Sequence, residues 1–190
     1  MSVKQQLEDL QHGDISDAFE AAQELSSRSR PPVDETIAIL NESKNAHNRE
    51  AAAYALSWVL GRRNQRPLEV LLATFDKVEE SPSVRAQALE GFGLQRPTKR
   101  NRLWSRVESA ILRGLADRST EVRFWACYAA GTLQVQSALP KLEELANTDS
   151  EICPNWWRVS EKAADAIEWI HGRETASRLP MSRGSKTQVL

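Results

Sequence analysis

Apolar residues return at intervals of three and four along nearly the whole chain, and polar residues fill the positions between them. "NREAAAYALSWVLG" from Asn48, "VRAQALEGFGL" from Val84, "VRFWACYAAGTL" from Val122 and "VSEKAADAIEWIHG" from Val159 all follow this period, which is that of an amphipathic helix. No stretch sustains period-two alternation, and no Asn-Gly or Asp-Gly pair marks a hairpin of strands. The pattern predicts an all-α chain.

The four segments also align with one another. Ala52, Ala88, Ala126 and Ala163 form one column, spaced by 36, 38 and 37 residues. Ala55, Gly91, Ala129 and Ala166 form a second, three residues on, and Leu56, Phe92, Ala130 and Ile167 a third. Small residues at these positions let a neighbouring helix come close, while the larger ones fill the gap. A weaker copy, "DAFEAAQEL", puts Ala21 in the first column. Each copy is followed by a second amphipathic segment: "VDETIAIL" at 33–40, "PLEVLLATF" at 67–75, "LWSRVESAILRGL" at 103–115 and "ALPKLEEL" at 138–145. The predicted unit is a small-residue helix, a short turn and a second helix. Such a unit cannot bury its apolar face alone, so copies must stack into a superhelical array.

Val-Arg-x-x-Ala-x-x-Ala-Ala-Gly at 122–131, Val-Arg-x-x-Ala-x-x-Gly-Phe-Gly at 84–93 and the downstream "ALPKLEEL" resemble HEAT repeats, especially the short bacterial type related to the phycobilin-lyase repeats. The resemblance runs over roughly 14–172. It departs where Ser57 and Glu168 replace the glycine of Gly93 and Gly131, and only Arg85 and Arg123 fill the arginine column cleanly. It implies an α-solenoid of four to five stacked hairpins over 1–174, with the second helices lining the concave face. Residues 1–13 read as a lone capping helix stopped by Gly13, and 175–190, rich in Ser, Gly and basic residues, as a flexible tail.

Composition narrows the functional classes. With 41% hydrophobic and 27% charged residues, the 190-residue chain has the material for a folded core. Apolar runs such as "WVL" at 58–60 are far too short to span a bilayer, and the charged N-terminus has no signal core, so a cytoplasmic protein is expected. Cys127 and Cys153 lack the spacing of a zinc site and read as buried thiols. His12, His47 and His171 form no His-Glu motif, and neither a phosphate loop nor a GxSxG elbow occurs. A non-enzyme without metal or cofactor is expected.

Charge falls on the turns. Arg28 and Arg30, then Arg62, Arg63 and Arg66, then Arg96, Lys99, Arg100 and Arg102 occupy equivalent turns, which stacking brings to one edge. Glu42, Asp76, Glu79, Glu80, Asp117, Glu121, Asp149 and Glu151 fall on the opposite turns. Solvated turns and helix-end preferences explain part of this; a binding edge is the alternative. Trp58 and Trp169 share a column and read as packing residues. Trp156 and Trp157, in the long connection "SEICPNWWRV", serve either packing or an interface. Phe124 and Tyr128, one turn apart, either meet the flanking repeats or face a partner, and Trp104 adds an aromatic beside the basic turn.

These residues support non-catalytic binding of another protein, with an adaptor or bacterial immunity role as its specific form by family analogy. A nucleic-acid-binding HEAT protein using the basic edge is the alternative, and a lyase or glycosylase-like enzyme a lesser one. The register itself is testable: Leu at Ala126 overpacks the stack and lowers unfolding free energy by about 1–3 kcal/mol. Unchanged stability in a urea titration contradicts the alignment.

Overall fold

The structure, a computed structural model, describes residues 1–59 and 65–175. Ten α-helices follow one another among these residues, with a 3-10 turn before the ninth and no strand beyond a single isolated bridge. They are α1 (Val3–His12), α2 (Ile15–Ser26), α3 (Val33–Glu42), α4 (Ala46–Ser57), α5 (Arg66–Asp76), α6 (Pro82–Gln95), α7 (Trp104–Gly114), α8 (Thr120–Thr132), α9 (Leu139–Thr148) and α10 (Val159–Ile170). The ends follow from local chemistry. Asp14 accepts from the N–H groups of Ser16 and Asp17 at 2.8 and 3.0 Å to open α2, and Ser2 caps α1. Pro67, Pro82 and Pro140 sit in first turns, where a missing N–H leaves nothing unpaired.

The helices form two rows. The small-residue helices α2, α4, α6, α8 and α10 pack side by side in sequence as an inner row. Their Ala and Gly columns make this possible. At Gly131 a Cβ atom would lie 2.8 Å from the Ala166 backbone and 2.7 Å from the Trp169 ring, so only glycine admits α10 this closely. Ala52, Ala88, Ala126 and Ala163 are all fully buried.

The predicted unit needs a change of phase. Each outer helix packs chiefly on the inner helix that follows it, not the one that precedes it: α1 on α2, α3 on α4, α5 on α6, α7 on α8 and α9 on α10. The repeat is therefore second-type helix, turn, small-residue helix, and there are five such hairpins. The N-terminal helix is not a lone cap but the first half of a hairpin. Sequence periodicity defines the repeat length but not where a cyclic pattern starts, which is why the phase was hidden. The concave face changes too. Outer-row neighbours touch sparsely whereas inner-row neighbours are in close contact, and a stack with unequal spacing bends toward its closer row. The small-residue helices, not the second-type ones, line the inside of the curve.

Ion pairs tie successive hairpins, buried or nearly so except at Glu151. Arg49 of α4 reaches Glu80 at 2.6 Å, Arg85 of α6 pairs with Asp117, and Arg123 of α8 reaches Asp149 at 2.6 Å and Glu151 at 3.1 Å. Arg49 thus fills the arginine column that the sequence showed only at Arg85 and Arg123; Asn48 in place of valine had masked the match. Arg49 and Arg123 each also donate to two carbonyls of the turn within their own hairpin, at 2.9–3.1 Å. One guanidinium thereby closes its own turn and grips the next. Burial pushes the Glu80 carboxyl up, but the bonds from Arg49 and the Ser81 N–H outweigh it and hold the group below the usual range. Replacing Arg123 by Ala leaves Asp149 buried without its cation, and we expect a loss of about 3 kcal/mol in a denaturant titration. Lys at this position restores little, because it lacks the planar fork.

Candidate partner-binding face

Helix α8 shows solvent mainly one stripe. Apart from Thr120 and Arg123 at its start, its half-buried residues are Glu121, Trp125, Tyr128 and Thr132, spaced by three and four. The same face of α6 carries Ser83, Glu90 and Leu94, and that of α4 carries His47, Glu50 and Tyr54. Lying on adjacent helices of the inner row, these stripes merge into one recessed surface on the concave side. It holds aromatic rings and carboxylates.

The rings are held in place by packing. Gly93 stands so close to Tyr128 that a Cβ there would lie 2.6 Å from the ring, so the glycine lets Tyr128 lean across α6. Trp125 packs edge-on to Tyr128 and Trp156, with centroids 5.5 and 5.3 Å apart, and Tyr128 meets Trp169 at 6.2 Å. The α9–α10 connection is ordered by the Cys153 N–H donating to the Trp157 carbonyl and the Val159 N–H to that of Glu151, both at 3.0 Å, with Asn155 in the left-handed region at φ 64°. This turn sets Trp156 half-buried beside Trp125 and sinks Trp157 into the core.

Behind the rings lies a cation. Lys162 of α10 is buried, and its Nζ lies 4.5 Å from the centroid of Trp157, 5.1 Å from Phe124, 5.2 Å from Trp169 and 5.7 Å from Tyr128.

The carboxylates are desolvated. Burial pushes Glu90 up to about 6, against a hydrogen bond from Gln87 Nε2 at 2.6 Å; the Glu50 charge adds to the rise and Lys162 opposes it. Burial also raises Glu50, against the Ser83 hydrogen bond and His47. Glu121 rises for the same reason, with the Glu50 charge adding to it. Glu50 on α4 is thus felt by carboxylates on both α6 and α8, as a concave face requires.

The sequence-predicted residues divide among three places. Phe124 is fully buried against Trp156 and Trp157, so it meets the flanking repeat, while Tyr128 faces the groove. Trp104 packs half-buried on the core. Trp58, expected in packing, is 44% exposed instead and, among the described residues, meets one ring, Tyr54, at a tilt with centroids 6.2 Å apart. Along the basic edge, Arg66 pairs with Asp34 and Arg102 with Glu69, which neutralises both. Arg96, Lys99 and Arg100 are exposed and make no ion pair among the described residues. Arg62 and Arg63 lie outside the described residues, as does 176–190 of the expected tail. On the opposite edge, Glu80, Asp117, Asp149 and Glu151 are engaged in the ladder of ion pairs, and Glu121 belongs to the groove rather than the edge. Glu50 and Glu90 escaped notice in the sequence because they stand in different alignment columns and come together only through stacking.

Cys127 and Cys153 are buried and unbonded; burial raises both thiols, Cys153 to about 12, so neither forms a thiolate nucleophile at neutral pH. Among the described residues no three His, Cys, Asp or Glu side chains group to hold a metal ion, and no helix is long and apolar enough to cross a membrane.

Residues 68–153, from α5 into the α9–α10 connection, match the family of HEAT repeats. That stretch is a run of HEAT repeats. The hairpins on either side of the matched stretch continue the same inner-row packing. Comparison with curated proteins finds no match. HEAT repeats commonly mediate binding to other proteins.

A carboxylate raised by burial weakens the fold when ionised. Glu90 binds its proton more tightly folded than unfolded, so its ionisation costs stability as pH rises from about 4.5 through about 6, and the cost levels off above that. Glu90→Gln should therefore raise the unfolding free energy by about 1–2 kcal/mol at pH 7.5 and leave it nearly unchanged at pH 4. Denaturant titrations of both forms at the two pH values measure this.

Proposed function

We propose that this HEAT protein is a non-catalytic binding module that takes another protein along the concave face. One observation carries the reading: in an inner row whose helices are otherwise buried, α4, α6 and α8 turn a continuous stripe of rings and desolvated carboxylates toward solvent. A scaffold needs only small residues there. Keeping ionised groups where they weaken the fold is the mark of a surface retained for use. Tyr and Trp held rigid by their neighbours are suitable hot-spot anchors, since little side-chain freedom is lost on binding. An adaptor or immunity role is the specific form this reading takes.

Nucleic acid is the second reading, and the exposed Arg96, Lys99 and Arg100 favour it. The groove speaks against it, because its carboxylates repel phosphate. The test is co-purification of the native protein with its bound chain, then titration of that purified chain. Trp125→Ala with Tyr128→Ala should abolish binding with helical content unchanged, while Arg100→Glu leaves it intact. Loss only on Arg100→Glu, or recovery of salt-released nucleic acid in place of a protein, overturns the proposal.

A further inference from the structure

The concave face offers one thing that the edges do not: negative charge that the fold itself leaves largely uncompensated. Along the edges, Arg49, Arg85 and Arg123 neutralise Glu80, Asp117 and Asp149 directly. In the groove, Glu50 receives a hydrogen bond from Ser83 and Glu90 one from Gln87, both neutral groups. Glu50, Glu90 and Glu121 form no ion pair among the described residues. They stand on three consecutive inner helices, on the one face those helices turn outward, and they do not converge tightly enough to hold a metal ion. The space between them suits something longer and cationic.

A second observation concerns the walls. At one end of the groove the chain has placed its own ammonium, Lys162, against four rings, of which Tyr128 also faces the groove. At the other end Phe19, Tyr54 and Trp58 form a similar chain of rings, with centroids 5.8 and 6.2 Å apart, and no cation lies over them among the described residues. Tyr54 lies one turn from Glu50, so ring and carboxylate share a face there. Where the described residues supply a cation the rings hold it, and at the Tyr54–Trp58 end they supply none.

We infer that the concave face recognises a basic segment of a partner protein, with Lys or Arg side chains received between Glu50, Glu90 and Glu121 and against the Tyr54–Trp58 rings. Charge complementarity selects this occupant over an acidic or purely apolar one. Each guanidinium or ammonium group restores the compensation that those carboxylates lack, and aromatic faces add cation–π attraction on a desolvated surface. The inference rests on the concave face being the binding surface.

The test uses the full chain and a fluorescein-labelled twelve-residue peptide of alternating Lys and Ser, with a second peptide carrying Glu for every Lys. Anisotropy at 150 mM salt reads the affinity. The Lys peptide should bind and the Glu peptide should not. The double variant Glu50→Gln, Glu90→Gln should weaken the Lys peptide at least tenfold, and Tyr54→Ala about threefold or more. Glu143→Gln with Glu144→Gln, which removes two exposed charges on α9, should change it less than twofold. Because Glu90→Gln is expected to stabilise the fold, weaker binding is not unfolding. Equal affinity in the Glu50, Glu90 variant, an equal loss in the α9 control, or no binding of the Lys peptide at millimolar protein overturns the inference. If the native partner is lost on truncating Trp125 and Tyr128 yet binds the Glu50, Glu90 variant as tightly as wild type, the surface reading stands and the basic-segment inference alone falls.

Discussion

Close approach between the small-residue helices is the constraint on which everything else depends. Glycine and alanine at the inner-row contacts bring each helix near enough to its neighbour for side chains to reach across, as Gly131 does for α10 and Gly93 for the Tyr128 ring. The outer row, with bulkier contacts, stays looser, and the difference in spacing gives the array its curve. The groove is thus a by-product of packing arithmetic, and its lining is whatever the remaining face of each inner helix carries. Function is free to vary on that face while the opposite faces keep the fold.

The same proximity explains the electrostatics. Side chains at the helix starts are brought within reach of the next turn, where Arg49, Arg85 and Arg123 find buried acids. A buried ion pair adds little net stability over an apolar contact, but it penalises any stacking that misplaces one partner. The ladder therefore fixes the register between hairpins more than it strengthens them. In the groove no ion pair forms among the described residues, and burial keeps Glu90 and its neighbours raised toward neutrality.

Much of the fold could be read from the residues, because small columns repeating about every 37 positions have few physical solutions other than a helical stack. The phase of the hairpin could not, since a periodic pattern contains no starting point. The binding face was legible only in part. Tyr128 and Trp156 stood out by residue type, but so did Phe124, which is buried in the core; the 100° rotation that separates it from its half-buried neighbour Trp125 does not show in a list of aromatics. Glu50 and Glu90 carry no local signal at all. They become notable only when three helices from separate repeats lie side by side.

The links between hairpins are not all alike. Arg49, Arg85 and Arg123 tie the second hairpin to the third, the third to the fourth and the fourth to the fifth through charge. The first is tied to the second by uncharged bonds instead, Asn48 Nδ2 donating to the carbonyls of Leu10 and Gly13 at 3.0 and 3.2 Å. Acid that discharges Glu80 therefore loosens the junction of the second and third hairpins, while the junction of the first and second keeps its bonds. The stack is thus held by joints of two kinds, one that a proton can open and one that it leaves closed.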